Sequence, residues 1–552
     1  MMMKSLYYSF ILICGLVIVG CQPNEKAKDP AESITKEDLA RRISKLASDE
    51  FEGRKPFTNG EIATINYIKE EFEKMGIKPG NGDSYFQEVP LVEIEATITE
   101  DMKISGGKDP LNLKFKEEFV ALTRRVQDAI DIENSEMVFA GFGVVAPEYN
   151  WNDYEGLDVQ GKTVVVLVND PGFGTGDDDF FKGEAMTYYG RWTYKYEEAA
   201  RQGAEAILII HDTEPASYPW QVVEGGWTGA NLYLKADDNN MSRCAAEGWI
   251  SLAAAKKIFA NAGYKDYDFT AEARKRDFKA FSLNQQMSLG LTNTINTSTS
   301  NNVVGLYEGG ERADECIIYS AHWDHFGIGA PNAEGDSIYN GAVDNATGVA
   351  NIIELAEAFT KLEQKTKRSV LFIAVTAEEQ GLLGSAYYAA NPIFPAEKTA
   401  ANLNTDAIIP MGKVKDLTII GYGQSELDDY AQAVAEQQGR YIIPDPNPGA
   451  GSFFRSDHFN FAKIGIPALY AKGGHDSEEK GKEWAEEQNA NYRANDYHQP
   501  TDEFDPSWDL EGIVQDVQLF FEIGKKIANE DNFPKWKEGS EFKAIREKSL
   551  GD

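Results

Sequence analysis

From Asn301 onward the chain alternates short apolar runs with helical segments, and that alternation limits the fold more than any other feature. Cys316–Tyr319, Val370–Val375, Leu417–Ile420 and Ile466–Tyr470 read as buried strands. Between them, Val349–Phe359 and Gly384–Ala390 have helical spacing. Ile513, Val514, Val517, Phe520, Phe521 and Ile527 give a closing helix its apolar stripe. Strands alternating with helices imply an α/β fold: a mixed, mostly parallel doubly wound sheet flanked by helices. In such sheets ligands gather beyond the carboxyl ends of the strands.

The earlier half has a different texture. Leu39–Leu46 and Ile62–Met75 carry helical spacing, the second closed by Gly76. Met137–Val145 and Lys162–Val168 read as strands, and a helix closed by Gly203 precedes the apolar run Ala206–Ile210. Residues 131–290 are therefore expected to form a smaller β-rich insert with its own core. The larger unit is then split into 36–130 and 291–535. A chain of 552 residues is too long for one ordinary core. Its 42% hydrophobic content excludes disorder, and a formal net charge of −35 excludes nucleic acid as a partner.

Residues 1–21 have the form of an export signal: Lys4, an apolar run from Phe10 to Val19, then Gly20-Cys21. The end of this run resembles a bacterial lipobox, although Val19 is bulkier than the residue usual there. The resemblance implies an exported cell-envelope lipoprotein held to a membrane by lipid on Cys21, with 22–35 as a tether. The body cysteines Cys244 and Cys316 are too sparse for a disulfide scaffold and are expected to pack.

The chain has six histidines, five of them between His322 and His498. His322 follows a strand, Glu378-Glu379 follows another, and Asp406 ends the segment that begins at Ala401. Asp344 lies in a Gly- and Ala-flanked turn entering a helix. Zinc takes imidazole nitrogen and carboxylate oxygen, and two adjacent ions need a shared carboxylate, a place that Asp344 suits. Neighbouring glutamates point differently, so one can ligate while the other faces the attacking water as a general base. No Gly-x-Ser-x-Gly elbow is present around Ser385, which disfavours a serine hydrolase.

These motifs resemble the co-catalytic zinc exopeptidases of metallopeptidase family 28, which include bacterial aminopeptidases and glutamate carboxypeptidase. The resemblance runs from Leu39 to Ala528 and implies two zinc ions per chain. By this resemblance, His322 and Asp406 hold one ion, Glu379 and His498 the other, and Asp344 bridges them. Glu378 is the general base and Tyr497 the oxyanion donor. Asp324 and Asp502 would act from outside the ligand set, with the Asp324 carboxylate orienting the His322 ring. His325, Arg455, Asp457 and His458 are expected to line the substrate site. The insert is similar to a protease-associated domain, with Trp220 and Trp227 as rim aromatics. The implied activity is removal of N-terminal residues from peptides by metal-activated water. A carboxypeptidase is the alternative; it would need a positively charged pocket, for which Arg455 is the one obvious residue. A one-zinc glutaminyl cyclase and a non-catalytic peptide-binding protein are disfavoured by the two ligand sets and the intact Glu378.

Overall fold

Two long strands join the halves of the molecule. The computed structural model describes residues 29–551, so the signal segment and Cys21 lie outside the described residues. In chain order the strands of the larger unit are β1 (Phe86–Ile98), β2 (Phe281–Tyr307), β3 (Arg312–His322), β4 (Arg368–Val375), β5 (Thr399–Asn404), β6 (Asp416–Ile420), β7 (Tyr441–Pro444) and β8 (Ala468–Lys472). β1 and β2 pair antiparallel from Leu291 opposite Ile98 to Val303 opposite Phe86. The far end of β2 continues into pairing with β4.

Across the sheet the order is β1-β2-β4-β3-β5-β8-β6-β7. The four central strands β4, β3, β5 and β8 are parallel, whereas β2 and β6 run antiparallel to their central neighbours. The expected mixed sheet is present. The four parallel strands end on one edge, which fixes where His322, Glu378 and Asp406 emerge.

Helices cover both faces. On one face lie α1 (Lys36–Leu46), α2 (Asn59–Met75), α3 (Thr347–Thr360) and α6 (Glu511–Asn529). α4 (Leu383–Ala390) lies on the other, while α5 (Leu427–Gln437) packs near the β7 edge. β4 shows why its sequence is continuously apolar. Val370, Phe372 and Ala374 enter the core with Phe359 and Phe521, while Leu371, Ile373 and Val375 enter the core with Tyr388 and Phe461. Gly76 ends α2 in the left-handed conformation, with φ of 77°, as its position predicts.

The insert has its own core around Phe139, Val165, Leu208, Ile258 and Phe259. Its strands Thr163–Leu167, Ala206–His211 and Ala246–Ser251 are parallel. That core also takes in Met102, Ile104, Leu113 and Phe119, which precede the boundary expected at 131. The strand expected over Met137–Val145 stops at Phe139. Gly141 and Gly143, at φ of 53° and 66°, turn the chain there. Cys244 and Cys316 are buried and unpaired. Among the described residues no helix is long and apolar enough to cross a membrane.

The closing helix α6 depends on close approach. A Cβ at Gly524 would stand 1.8 Å from the Tyr319 hydroxyl, which donates to the carbonyl of Phe520 at 2.7 Å. Gly524→Ala is therefore expected to destabilise the larger unit by about 1–3 kcal/mol through overpacking. Urea denaturation followed by tryptophan fluorescence checks this, and an unchanged midpoint would contradict it.

Candidate metal centre

Residues far apart in sequence meet at the common strand edge. The His322 Nε2 atom lies 3.2 Å from Asp344 Oδ1 and 3.5 Å from Asp406 Oδ1. The His498 Nε2 atom lies 3.4 Å from Asp344 Oδ2 and 3.3 Å from Glu379 Oε2. One oxygen of Asp344 thus faces each imidazole. Potential ligand atoms of His322, Asp344 and Asp406 lie within 4.8 Å of one another, as do those of His322, Glu378 and Glu379. The Glu378 carboxylate has no ion pair among the described residues, so it is free to serve a reacting group.

The electrostatics follow from crowding acids where water is scarce. Burial pushes Glu378 well above the ordinary carboxylic acid range, and Asp457, Asp406 and Asp344 push it further. Glu379 is raised in the same way. Burial would raise Asp344 too, but hydrogen bonds from His322 and His498, with charge from His322 and His325, hold it well below its usual value. Burial would lower His322, yet Glu378, Asp344 and Asp406 raise it well above the ordinary imidazole range. A buried set of nitrogen and oxygen donors, rich in carboxylate and without sulfur, fits zinc and needs cationic counter-charge.

Several groups hold these side chains. Asp502 accepts hydrogen bonds from the backbone of Val343 at 2.9 Å and Asp344 at 3.1 Å, and from the Tyr492 hydroxyl at 3.1 Å. Burial raises Asp502 to about 7. Asp324 acts differently from expectation. Its backbone carbonyl, 3.1 Å from His322 Nδ1, orients the ring, while its carboxylate lies 3.9 Å from that nitrogen. The carboxylate instead accepts from the amides of Glu378 at 3.0 Å and Glu379 at 3.3 Å, aiming the glutamate pair. The reason is geometric: the chain turns after β3, bringing the Asp324 carbonyl back beside the ring.

Three residues expected to line substrate are buried. His325 is fully enclosed, with Nδ1 2.6 Å from Glu379 Oε1, so it supports a candidate ligand. Its Nε2 has no partner. Asp457 accepts from the Ser385 hydroxyl at 2.5 Å. His458 packs between Phe453 and Tyr470, where burial lowers it to about 3 and keeps it neutral. Arg455 is exposed and lines a cleft of about 880 Å³. Tyr497 lines that cleft as well, its ring stacked on His498 at 3.7 Å. Trp227 is on the cleft wall, but Trp220 is turned away, donating to the carbonyl of Lys116. Trp192 lines the wall instead.

Two supports were not evident from sequence. Arg54 is fully buried and donates to the carbonyls of Trp323 and Gly341, each at 2.9 Å, and to that of Asn340. It thereby joins the turn after β3 to the turn before α3; nothing in sequence spacing connects it with either. The second support is a polar chain. Asn402 donates to Ser320, Ser320 to Asn404, Asn404 to Ser456, and the Ser456 hydroxyl to Asp406. Asparagines within the otherwise apolar β5 were its available signal.

The model of the family described as Peptidase family M28 matches residues 302–521. Aminopeptidase NAALADL1 from Mus musculus is 29% identical over 132 residues, which is 23% of this chain and 16% of the mouse protein. A probable zinc metalloprotease from Pyricularia oryzae is 36% identical over 107 residues, covering 19% of this chain and 20% of that protein. These matches span less than a quarter of either relative. An aminopeptidase structure from Aneurinibacillus sp. strain AM-1 aligns over 92% of this chain and 97% of that one, at TM-score 0.47 and 18% identity.

Ser456→Ala removes the donor that aims Asp406 without emptying the core. Zinc affinity is expected to fall about 10–100-fold, as for other supports of metal ligands. Competition with a chromophoric chelator measures it; unchanged affinity would show that the polar chain does not position Asp406.

Proposed function

We propose that this chain, whose residues 302–521 belong to peptidase family M28, is a two-zinc exopeptidase removing N-terminal residues from peptides. The observation that carries the reading is the division of Asp344 between His322 and His498, with Glu378 unengaged beside them. His322 and Asp406 would hold one zinc, His498 and Glu379 the other, and Asp344 both. Zinc in that place lowers the pKa of water and polarises the scissile carbonyl. Glu378 takes the proton of the attacking water on a carboxylate oxygen and then delivers it to the leaving amine. Asp324 keeps Glu378 aimed through its amide. The Tyr497 hydroxyl, on the open side of His498, donates to the developing oxyanion.

The lipobox-like end at Cys21 supports export and attachment to a membrane by lipid, and the inserted unit supports a role in walling the cleft. The carboxypeptidase reading has one observation in its favour, the cationic side chains on that wall.

A mixture of peptides incubated with the body of the protein, with products followed by mass, separates the readings. A chelator-sensitive ladder from the N-terminus is expected; a ladder from the C-terminus would establish the carboxypeptidase, and internal cuts would defeat both. Glu378→Gln should lower turnover about 10²–10⁴-fold while zinc remains bound, the range for loss of a general base. Full activity in that variant would overturn the mechanism.

A further inference from the structure

One strand of the insert, Ala230–Leu234, is paired along only one side among the described residues. It runs antiparallel to β1, from Ala230 opposite Glu95 to Leu234 opposite Leu91. The Lys235 amide extends that pairing, donating to the carbonyl of Pro90 at 3.1 Å. In an antiparallel pair every second residue turns both backbone groups to its partner, and the residues between turn theirs away. Lys235, Tyr233 and Asn231 therefore face β1, while Leu234, Leu232 and Ala230 present their amides and carbonyls outward. Asn240 lies on that outer side, donating to the Leu234 carbonyl at 3.0 Å. The amide and carbonyl of Leu232 have no partner among the described residues.

The open edge borders the metal centre. All five residues of the strand line the cleft that also holds Glu378, Glu379, Tyr497 and His498. Their larger side chains are committed elsewhere. Leu232 and Leu234 pack with Ala377 and Leu383, on either side of the glutamate pair in sequence, and Tyr233 packs with Val92, Ile94 and Leu122. What the strand leaves to the cleft is backbone. Free edges are usually blunted by lysine, proline or a bulge, because they invite another strand. Ala230–Leu234 has no charged residue, no proline and an unbroken register. An extended peptide presents amides and carbonyls at the spacing of this edge, and the candidate general base lies in the same cleft.

We propose that the substrate peptide binds as an added strand on Ala230–Leu234, its main chain bonded to Leu232 and its N-terminal residue at the metal centre. This rests on the exopeptidase reading and names its substrate class. The class is extended peptides longer than a dipeptide, held beyond the scissile bond by main chain and so with little regard to side chain there. A dipeptide lacks the main chain to make these bonds.

The test titrates zinc-loaded Glu378→Gln protein with hexaalanine amide in a calorimeter. Four analogues each carry one N-methyl group, on the third, fourth, fifth or sixth residue, removing one amide donor away from the scissile bond. Alternate residues of an added strand face its partner, so methylation should weaken binding roughly fivefold at alternate positions and little between them, the scale of one hydrogen bond. Alanyl-alanine amide should bind at least roughly tenfold more weakly than hexaalanine amide. Leu232→Pro removes an outward amide that pairs with nothing in the sheet, a place where an edge strand tolerates proline. It should weaken hexaalanine amide roughly fivefold beyond Leu232→Ala, which keeps the amide. The methylation pattern needs neither variant, so it decides even if Leu232→Pro fails to fold. No binding, equal loss at all four positions, loss at none, or equal effects of the two Leu232 substitutions overturns the added strand. A dimer seen by ultracentrifugation and lost in Leu232→Pro would assign the edge to a second copy and overturn it as well. Wild-type protein that releases no N-terminal residue from hexaalanine amide defeats the exopeptidase reading instead, while the methylation pattern still decides the strand.

Discussion

The structure turns on one buried carboxylate that faces two imidazoles. Asp344 presents Oδ1 to His322 and Oδ2 to His498, and everything nearby bears on keeping it there. Asp502 fixes its amide, and Arg54 ties the adjoining turns to each other. A single carboxylate can divide in this way only if the surrounding backbone does not yield. That explains why the supports are buried charges and main-chain hydrogen bonds, not exposed ion pairs, which contribute little.

The parallel sheet makes this convergence possible. β3, β4 and β5 run in the same direction and deliver His322, Glu378-Glu379 and Asp406 to one edge. The polar chain from Asn402 through Ser456 passes through the apolar sheet to reach Asp406. Each member donates to the next, so the chain ends on the Asp406 carboxylate with the Ser456 hydroxyl as its donor. The acidity of the cluster is then intelligible as a demand for dications, and Glu378 stands out because it alone has no fixed partner.

Much of this was legible in the sequence, for reasons that differ by element. β4 and the closing helix announced themselves because burial on two faces, or on one stripe, leaves a periodic apolar record. The strand-end acids could be read because chain direction fixes where they emerge. Arg54 left no such record, since its partners are backbone carbonyls that any sequence supplies. The misplacement of His325, Asp457 and His458 at the substrate surface has a related cause: proximity to a motif does not tell a side chain's direction, and each of these turns inward. The Asp324 carboxylate likewise serves the amides of the glutamate pair, which only the folded turn brings near. The core that begins before residue 131 was missed because β1 and β2 run through both units without a break.

The same continuity gives the insert its place beside the cleft. Trp192, Trp227 and Tyr233 of the insert line the same cleft as Glu378, Glu379 and His498 of the larger unit. The central claim, that Asp344 serves two metal positions at once, is tested most directly by metal content. Elemental analysis of zinc-equilibrated protein should give two ions per chain in the wild type, one in His498→Ala and no tightly held ion in Asp344→Ala. A wild-type content of one ion, or two ions retained without Asp344, would contradict it.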